Sequence, residues 1–216
     1  MHRRRRTALS VSAALLAAAP LLTACGSDAH PGAAAVVGGE RIEVTALQAQ
    51  VRDVRSAQQA SPQGAELIKA TGDLNREKLN GMIFDRVVDR VAADHGVTVS
   101  RKEIQRMRQT AAGQSGGEDQ LAAMLLQQQG VAPGEIDGVI RRNIVMNKLA
   151  AKLGAGNTPE GQRKLTQVFT AASKELRIDV NPRYGTWDNA QIQLGRYSAP
   201  WIRQVTKEAA GPQAGT

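Results

Sequence analysis

A row of apolar residues in the middle of the chain most constrains what this sequence can fold into. Four of these residues recur every four positions, at Leu79, Ile83, Val87 and Val91. Phe84 and Val88 widen the row until it covers about half of a helix circumference, which is typical of a core helix. We predict this helix from about Asn75 to His95, roughly 30 Å at about 1.5 Å per residue. Gly96 follows it, where a left-handed C-terminal cap is needed.

A second helix is predicted directly after the first. Ser100 and Glu103 have the spacing of a capping box, in which each side chain bonds the main-chain N–H of the other residue. Val99 and Ile104 flank this box and are placed to pack on each other across the cap. The joint between the two helices is therefore strongly specified. We predict that the second helix ends at about Thr110.

Four further helices are predicted from capping signals and apolar stripes. They run from Thr45 to about Gln58, from Glu118 to Gln129, from Pro133 to Leu153, and from Thr158 onward. Thr45 and Gln48 are spaced as a capping box for the first of these. Residues 59–73 are predicted to be a loop with room for a short turn around Leu67 and Ile68, and residues 111–119 a flexible joint, because both are rich in glycine and polar residues.

Composition supports a helical fold and argues against a nucleic-acid partner. Aromatic residues make up 3% of the chain, while alanine, leucine and valine supply most of the 42% apolar content. The net charge of +8 includes four arginines at positions 3–6, and without residues 1–24 the balance is +4. No basic run with interleaved aromatic residues remains, so DNA or RNA binding is not predicted.

The amino terminus has the pattern of an export signal. Four arginines precede a short apolar stretch from Ala8 to Leu22 that is broken by Pro20. The sequence Leu22-Thr23-Ala24-Cys25 then resembles a bacterial lipobox, in which the cysteine receives a diacylglyceryl thioether. A chance cysteine or an uncleaved anchor are the alternatives. Cys25 is the single cysteine of the chain, which favours lipidation over a disulfide.

The predicted organisation has four parts. Residues 1–24 are a lipoprotein signal peptide, 25–33 a tether, 34–188 a helical domain, and 189–216 a partly disordered C-terminal extension. A membrane association through two acyl chains is stable, whereas one chain binds only marginally. We therefore expect the protein on the outer face of the cell membrane, held there by a lipid anchor.

Short extended segments are predicted at both ends of the helical domain. Residues 34–42, AAVVGGERI, contain the dipeptide Gly38-Gly39, which suits a tight hairpin turn. Near the other end, Ile178 and Val180 alternate as they would in a short strand, which Pro182 ends.

Three of these segments together carry a resemblance to a known family. They are AAVVGGERI at 34–42, HGVTVSRKEI at 95–104 and VNPRYGTW at 180–187. The chain is similar to SurA and PrsA type extracytoplasmic chaperones, with Gly38 in place of the usual asparagine. The resemblance implies a mainly α fold, a SurA-like helical chaperone module closed by a small β-hairpin plus a C-terminal strand. It also implies that the parvulin prolyl-isomerase domain is missing, because its insertion point has shrunk to residues 153–158.

The sequence offers little for catalysis. Its histidines are His2, His30 and His95, so no His or Cys metal site can be assembled and no cofactor is expected. Asp85 and Asp89 lie one turn apart beside Arg86 and Arg90, which favours a solvated charged face over a paired-carboxylate site. We predict that the protein is not an enzyme.

Flexible apolar residues are the candidates for binding unfolded segments. Four methionines lie on four successive predicted helices, Met82, Met107, Met124 and Met146, and Phe84 accompanies them. Such side chains suit promiscuous surfaces, and the alternative is that they fill gaps in the core. The resemblance predicts a holdase for unfolded or newly exported polypeptides. The alternatives are an assembly lipoprotein with one dedicated partner and a protein related to the prolyl isomerases.

Overall fold

The computed structural model describes residues 31–156 and 158–196. In these ranges the chain forms seven α-helices and five short strands, which confirms the predicted mainly α fold. The helices are α1 Val44–Ala60, α2 Gly64–Ala70, α3 Leu74–Asp94, α4 Arg101–Ser115, α5 Glu118–Gln129, α6 Ile136–Lys152 and α7 Pro159–Glu175. The strands are β1 Ala33–Val37, β2 Glu40–Glu43, β3 Asp179–Val180, β4 Thr186–Asp188 and β5 Gln193–Gly195. A 3-10 turn at Pro133–Glu135 precedes α6.

A small antiparallel sheet joins the two ends of the domain. β1 and β2 form a hairpin whose turn is Gly38-Gly39, both at positive φ, as a two-residue hairpin turn requires. β3 pairs with the other edge of β1, giving the strand order β2-β1-β3 with Ala35 opposite Val180. The predicted closure of the hairpin by a C-terminal strand is therefore confirmed.

Helix α3 is the centre of the fold, as its apolar row predicted. Leu79, Ile83 and Val87 have no exposed surface, and the helix begins and ends within one residue of the predicted bounds. Gly96 lies at φ +59°, and the main-chain N–H of Val97 donates to Ala92 O at 2.8 Å. These bonds form a Schellman motif, which ends α3 and turns the chain toward α4.

The predicted capping box at the start of α4 is present. Ser100 Oγ accepts from the main-chain N–H of Glu103 at 3.3 Å, and the Glu103 carboxylate accepts from the Ser100 N–H at 2.9 Å. Lys148 of α6 donates to the same carboxylate. That bond, followed by those from Ser100, lowers the pKa of Glu103 to about 2. The cap therefore also ties α4 to α6.

The main core lies between α1, α3, α6, α7 and the strands. Its largest members include Leu47, Val54, Leu79, Ile83, Val87, Leu149, Phe169, Tyr184, Trp187 and Leu194. The Trp187 indole Nε1 donates to Ser173 Oγ at 2.8 Å, and that hydroxyl donates to Asn189 Oδ1 at 2.7 Å. A buried polar chain therefore fixes the returning segment against α7.

A second group of buried residues forms where α4, α5 and α6 pack together. We name it the α4–α6 cluster, and its members are Ala112, Leu121, Leu125, Val131, Ile136, Ile140 and Ile144. On its surface Arg108 pairs with Glu118 at 3.0 Å and with Asp137 at 2.8 Å. These pairs link the three helices that enclose the cluster.

Three local predictions were wrong. Helix α1 starts at Val44 after Glu43, which makes no side-chain cap bond, so Thr45 and Gln48 form no capping box. Helix α4 continues through Ser115 because the joint begins only at Gly116, where φ is +90°. The loop predicted with room for a short turn at Leu67 and Ile68 instead contains the seven-residue helix α2, whose end is held by Arg55 of α1 donating to Thr71 O at 2.7 Å.

The Asp85 and Asp89 side chains on α3 are each 46% exposed, so they lie on the predicted charged face. Asp85 pairs with Arg142 and Asp89 with Arg141, both at the surface between α3 and α6. The neighbouring arginines on α3 that were predicted to accompany these aspartates pair elsewhere. The carboxylates therefore lie at the surface and also link the two helices.

The chain beyond residue 188 adds a short hairpin to the core. β4 pairs with β5, with Trp187 opposite Leu194, and Leu194 is buried. The Leu194 main-chain N–H donates to Asn80 Oδ1 of α3 at 2.7 Å. Residues 189–196, which the sequence assigned to the extension, thus pack on α3. Residues 1–30 with Cys25, and residues 197–216, lie outside the described residues.

Candidate binding cleft

A cleft opens beside α3, at the edge of the main core. Its walls are α3, the 3-10 turn and α6, with contributions from the end of α5 and from Gln50 of α1. Its volume is ≈ 390 Å³, which lies within the range of ordinary ligand pockets.

In the described part of the chain, no helix combines the length and apolar character needed to cross a bilayer.

Three glycines keep the cleft open. They are Gly81 of α3, Gly134 of the 3-10 turn and Gly138 of α6. A Cβ added at any of them would meet nothing within 4 Å, so close packing does not demand glycine there. None of the three has a positive φ. Glycine inside a helix costs about 1 kcal/mol relative to alanine, and here neither packing nor backbone conformation explains that cost.

The apolar part of the lining comes from both hydrophobic groups. Leu74 belongs to the main core and Val131 to the α4–α6 cluster. Met82 and Val139 are half-buried and complete this surface. The cleft therefore lies where the two groups of buried residues meet.

Most charges at the cleft are paired within the protein. Lys78 of α3 pairs with Glu135 at 2.6 Å, and Arg142 of α6 pairs with Asp85 at 2.8 Å. The Lys78 and Glu135 side chains are only 12% and 20% exposed, so this pair is partly withdrawn from water. The Glu77 carboxylate, in the first turn of α3, has no ion-pair partner in the described part of the chain.

A second depression continues the cleft toward the hairpin. It has a volume of ≈ 280 Å³, and we name it the hairpin hollow. Its lining residues are Arg41, Ile42, Glu43, Ala46, Met82, Asp85 and Arg86. Met82 and Asp85 also line the cleft, so these two side chains form the common wall of both depressions.

Comparison with known families identifies the domain. A model of the SurA-like N-terminal domain family matches residues 2–150, more than half of the chain. The chain belongs to the SurA-like N-terminal domain family. No curated protein matches the chain, and no solved structure does. The family carries a chaperone-like role, with polypeptides as clients.

The matched range covers the cleft but not the whole fold. Every residue that lines the cleft, from Gln50 to Arg142, lies within the matched range. Helix α7 and strands β3 to β5 lie beyond it, although they complete the main core. The cleft is therefore part of the SurA-like region, while its structural support comes partly from outside that region.

The structure separates the five residues that the sequence suggested for peptide binding. Met82 lines the cleft of the SurA-like domain, but Phe84 stacks on Phe169 with ring centroids 6.2 Å apart. Met146 packs against the main core and Met124 against the α4–α6 cluster. Met107, on α4, is 44% exposed and lines neither depression. The five side chains thus do not form one surface.

Sequence reasoning missed the glycines of the cleft. Gly81 and Gly138 fall inside apolar helical patterns, where an unexplained glycine is itself a signal. That signal marks both positions as unusual, and the structure shows that both residues line the cleft. Among residues 31–156 and 158–196 there is no group of three His, Cys, Asp or Glu side chains that could hold a metal ion.

Proposed function

We propose that this protein is a lipid-anchored extracytoplasmic holdase that binds unfolded or newly exported polypeptides. The observation that carries the proposal is an open cleft, of mixed apolar and charged lining, within a SurA-like domain. Glycines hold this cleft open at a cost to helix stability, which is expected of a binding surface and not of a core. Client segments must be ordered on binding, so the affinity of each site is modest.

The proposal places the domain beside the membrane. The lipobox-like sequence that ends at Cys25 supports a diacylglyceryl anchor on the outer face of the cell membrane. Palmitate labelling of the wild-type protein, lost in Cys25→Ala, is the expected result. Labelling that persists in this variant contradicts the anchor.

The proposal assigns no isomerase chemistry to the chain. Helix α6 ends at Lys152 and α7 begins at Pro159, and a connection of this length is too short for a catalytic domain. We expect no acceleration of prolyl isomerisation in a proline-containing peptide. Catalysis that is lost on mutation of the chain would contradict this part of the proposal.

The holdase activity is tested with the soluble form, residues 26–216. Light scattering follows a heat-unfolded client enzyme in the presence of increasing amounts of the protein, and we expect aggregation to be suppressed. Gly138→Leu places a side chain in the cleft and should reduce the protection. Gly113→Leu is the matched control, because Gly113 also lies in a helix, also has open space around it, and lines neither depression.

Two results would contradict the holdase proposal. One is a wild-type protein that protects no client at any ratio. The other is a single co-purifying protein at fixed stoichiometry, which points to a dedicated assembly partner. A mixture of many clients recovered by cross-linking through Met82 agrees with the proposal, because Met82 lies in both depressions.

A further inference from the structure

The charges around the cleft and the hairpin hollow nearly cancel. Within the hollow, Arg41 pairs with Glu43 at 2.8 Å, and Arg86 pairs with Glu40 at 2.6 Å. In the cleft, Lys78 and Arg142 each have a carboxylate partner. Each arginine or lysine side chain that lines either depression therefore already has a carboxylate partner. An acidic ligand would have to displace one of these partners.

Glu77 is the exception to this pairing. It lines the cleft, its side chain is exposed, and no described residue forms an ion pair with it. It lies in the first turn of α3, where the helix dipole favours the ionised carboxylate. The five charged residues of the cleft thus leave one negative charge without a counter-charge, at its α3 rim.

The cleft also favours a particular ligand shape. Gly81 and Gly138 present no side chain, so the main chain of a ligand can approach both helices closely. The half-buried Met82 and Val139 offer an apolar surface beside this approach. Such a site suits an extended segment with an apolar side chain next to a cation, and it suits neither a compact anion nor a purely apolar helix.

We infer that the cleft binds extended client segments in which a lysine or arginine adjoins an apolar residue, with the cation at Glu77. This inference rests on the proposed function and names the chemistry of the clients. The apolar side chain lies against Met82 and Val139, and the basic side chain supplies the counter-charge that Glu77 lacks. Clients with acidic residues at the same position bind less tightly.

The test uses two fluorescent ten-residue peptides that differ at one central position. Both contain leucine and serine, and the central residue is lysine in one and glutamate in the other. Fluorescence anisotropy with residues 26–216 should show that the lysine peptide binds about two- to fivefold more tightly at low salt, as for an exposed ion pair. The difference should shrink in 1 M salt, where the Debye length is about 3 Å.

Glu77→Gln should abolish the preference while both peptides still bind. Glu160→Gln is the matched control, because Glu160 lies in the first turn of α7, is exposed, and lines neither depression. This control should keep the preference of the wild type. Equal affinity of the two peptides for the wild type, or a preference that survives Glu77→Gln, overturns the inference.

Two further variants test the position of the peptide. Gly138→Leu should lower the affinity for both peptides about tenfold or more, since a large side chain then occupies the cleft. Gly113→Leu should leave both affinities unchanged, and thermal melts of both variants verify folding. Undiminished binding by a folded Gly138→Leu overturns the inference. So does a large gain in affinity on removal of residues 197–216, which would make this chain's own C-terminal segment the occupant.

Failure of the inference and failure of the holdase proposal are distinguishable. A wild-type protein that selects the lysine peptide through Glu77 but suppresses no aggregation supports the assignment of the cleft and rejects the holdase proposal. Suppression that persists in full in Gly138→Leu, together with unselective peptide binding, supports the holdase proposal and overturns the inference.

Discussion

The main core and the α4–α6 cluster are both rich in aliphatic side chains, yet they gather those residues in different ways. The members of the α4–α6 cluster lie between Ala112 and Ile144, on helices that follow one another along the chain. The main core draws on β1 near one end of the domain and on Leu194 near the other, and it includes Phe169, Tyr184 and Trp187. The α4–α6 cluster can form from residues that are near one another in sequence, whereas the main core requires almost the whole domain.

Because of this difference, the residues that identify the family are not all of the residues that stabilise the fold. The SurA-like match ends at residue 150 and contains the whole α4–α6 cluster. The main core needs α7 and the strands that follow, which the match does not reach. The cleft takes Leu74 from one region and Val131 from the other, so its shape depends on both.

Removing residues 177–216 should have the largest effect on stability, because it takes away part of the main core. The truncation deletes β3 and four buried side chains, Val180, Tyr184, Trp187 and Leu194. We expect a loss on the order of 5 kcal/mol or more, comparable to the whole stability of a typical domain. Circular dichroism melts measure the effect. Full retention of the thermal transition would show that the main core closes without its C-terminal part.

A pair of core substitutions sharpens the comparison. Trp187→Ala in the main core should cost about 3–5 kcal/mol, and Ile136→Ala in the α4–α6 cluster about 2–5 kcal/mol, because both side chains are buried. The two residues belong to different buried groups. In urea unfolding, the double variant should therefore lose the sum of the two values within about 0.5 kcal/mol. A larger deviation would mean that the two regions are energetically coupled.

Substituting the glycines tests the junction between the two regions. Gly138→Ala should raise the free energy of unfolding by about 0.5–1 kcal/mol, since alanine is the better helix former and has space. Gly113→Ala should give a similar gain. Peptide affinity should fall only in Gly138→Ala, so stability and binding change in opposite directions at the cleft. A loss of stability in Gly138→Ala would indicate that the glycine serves packing.

Acid titration gives the smallest effect and reports on the α4–α6 side. The folded-state pKa of Glu103 is lowered from 4.5 to about 2 by Lys148 and Ser100. The stability that this carboxylate contributes is therefore present above about pH 4.5 and is lost as pH falls toward 2. Melting temperatures between pH 5 and 2 should fall less steeply in Glu103→Gln than in the wild type. Identical slopes would contradict the assigned bonds.

Local chemistry explains which parts of the fold were predictable. The spacing of the α3 row, the Ser100 box and the Gly38-Gly39 turn each specify a structure within a few residues. The Thr45 box failed because the strand β2 runs directly into α1. Residues 111–115 remained helical since the α4–α6 cluster buries Ala112, which outweighs the glycine at 113. Leu194 joined the core through Asn80, a contact between residues far apart in sequence.

The candidate site was less predictable than the fold. A methionine suits a core and a binding surface equally well, and the choice depends on which neighbours the fold supplies. Met82, Met124 and Met146 all pack against buried residues, and of these three only Met82 also lines the cleft. The cleft itself arises from what α3 and α6 lack at Gly81 and Gly138, and two glycines in separate helices do not reveal that they face a common space.

The pairing of β1 with the C-terminal strand β3 also determines when the sheet can be completed during folding. The Asn181 amide donates to Ala33 O across 148 residues of chain. The amino terminus emerges first, so β1 is present before its second neighbour in the sheet. During that interval one edge of the strand is unpaired, which is the state that invites pairing with other chains. A domain of a chaperone family thus passes through a stage in which it is itself vulnerable to misassembly.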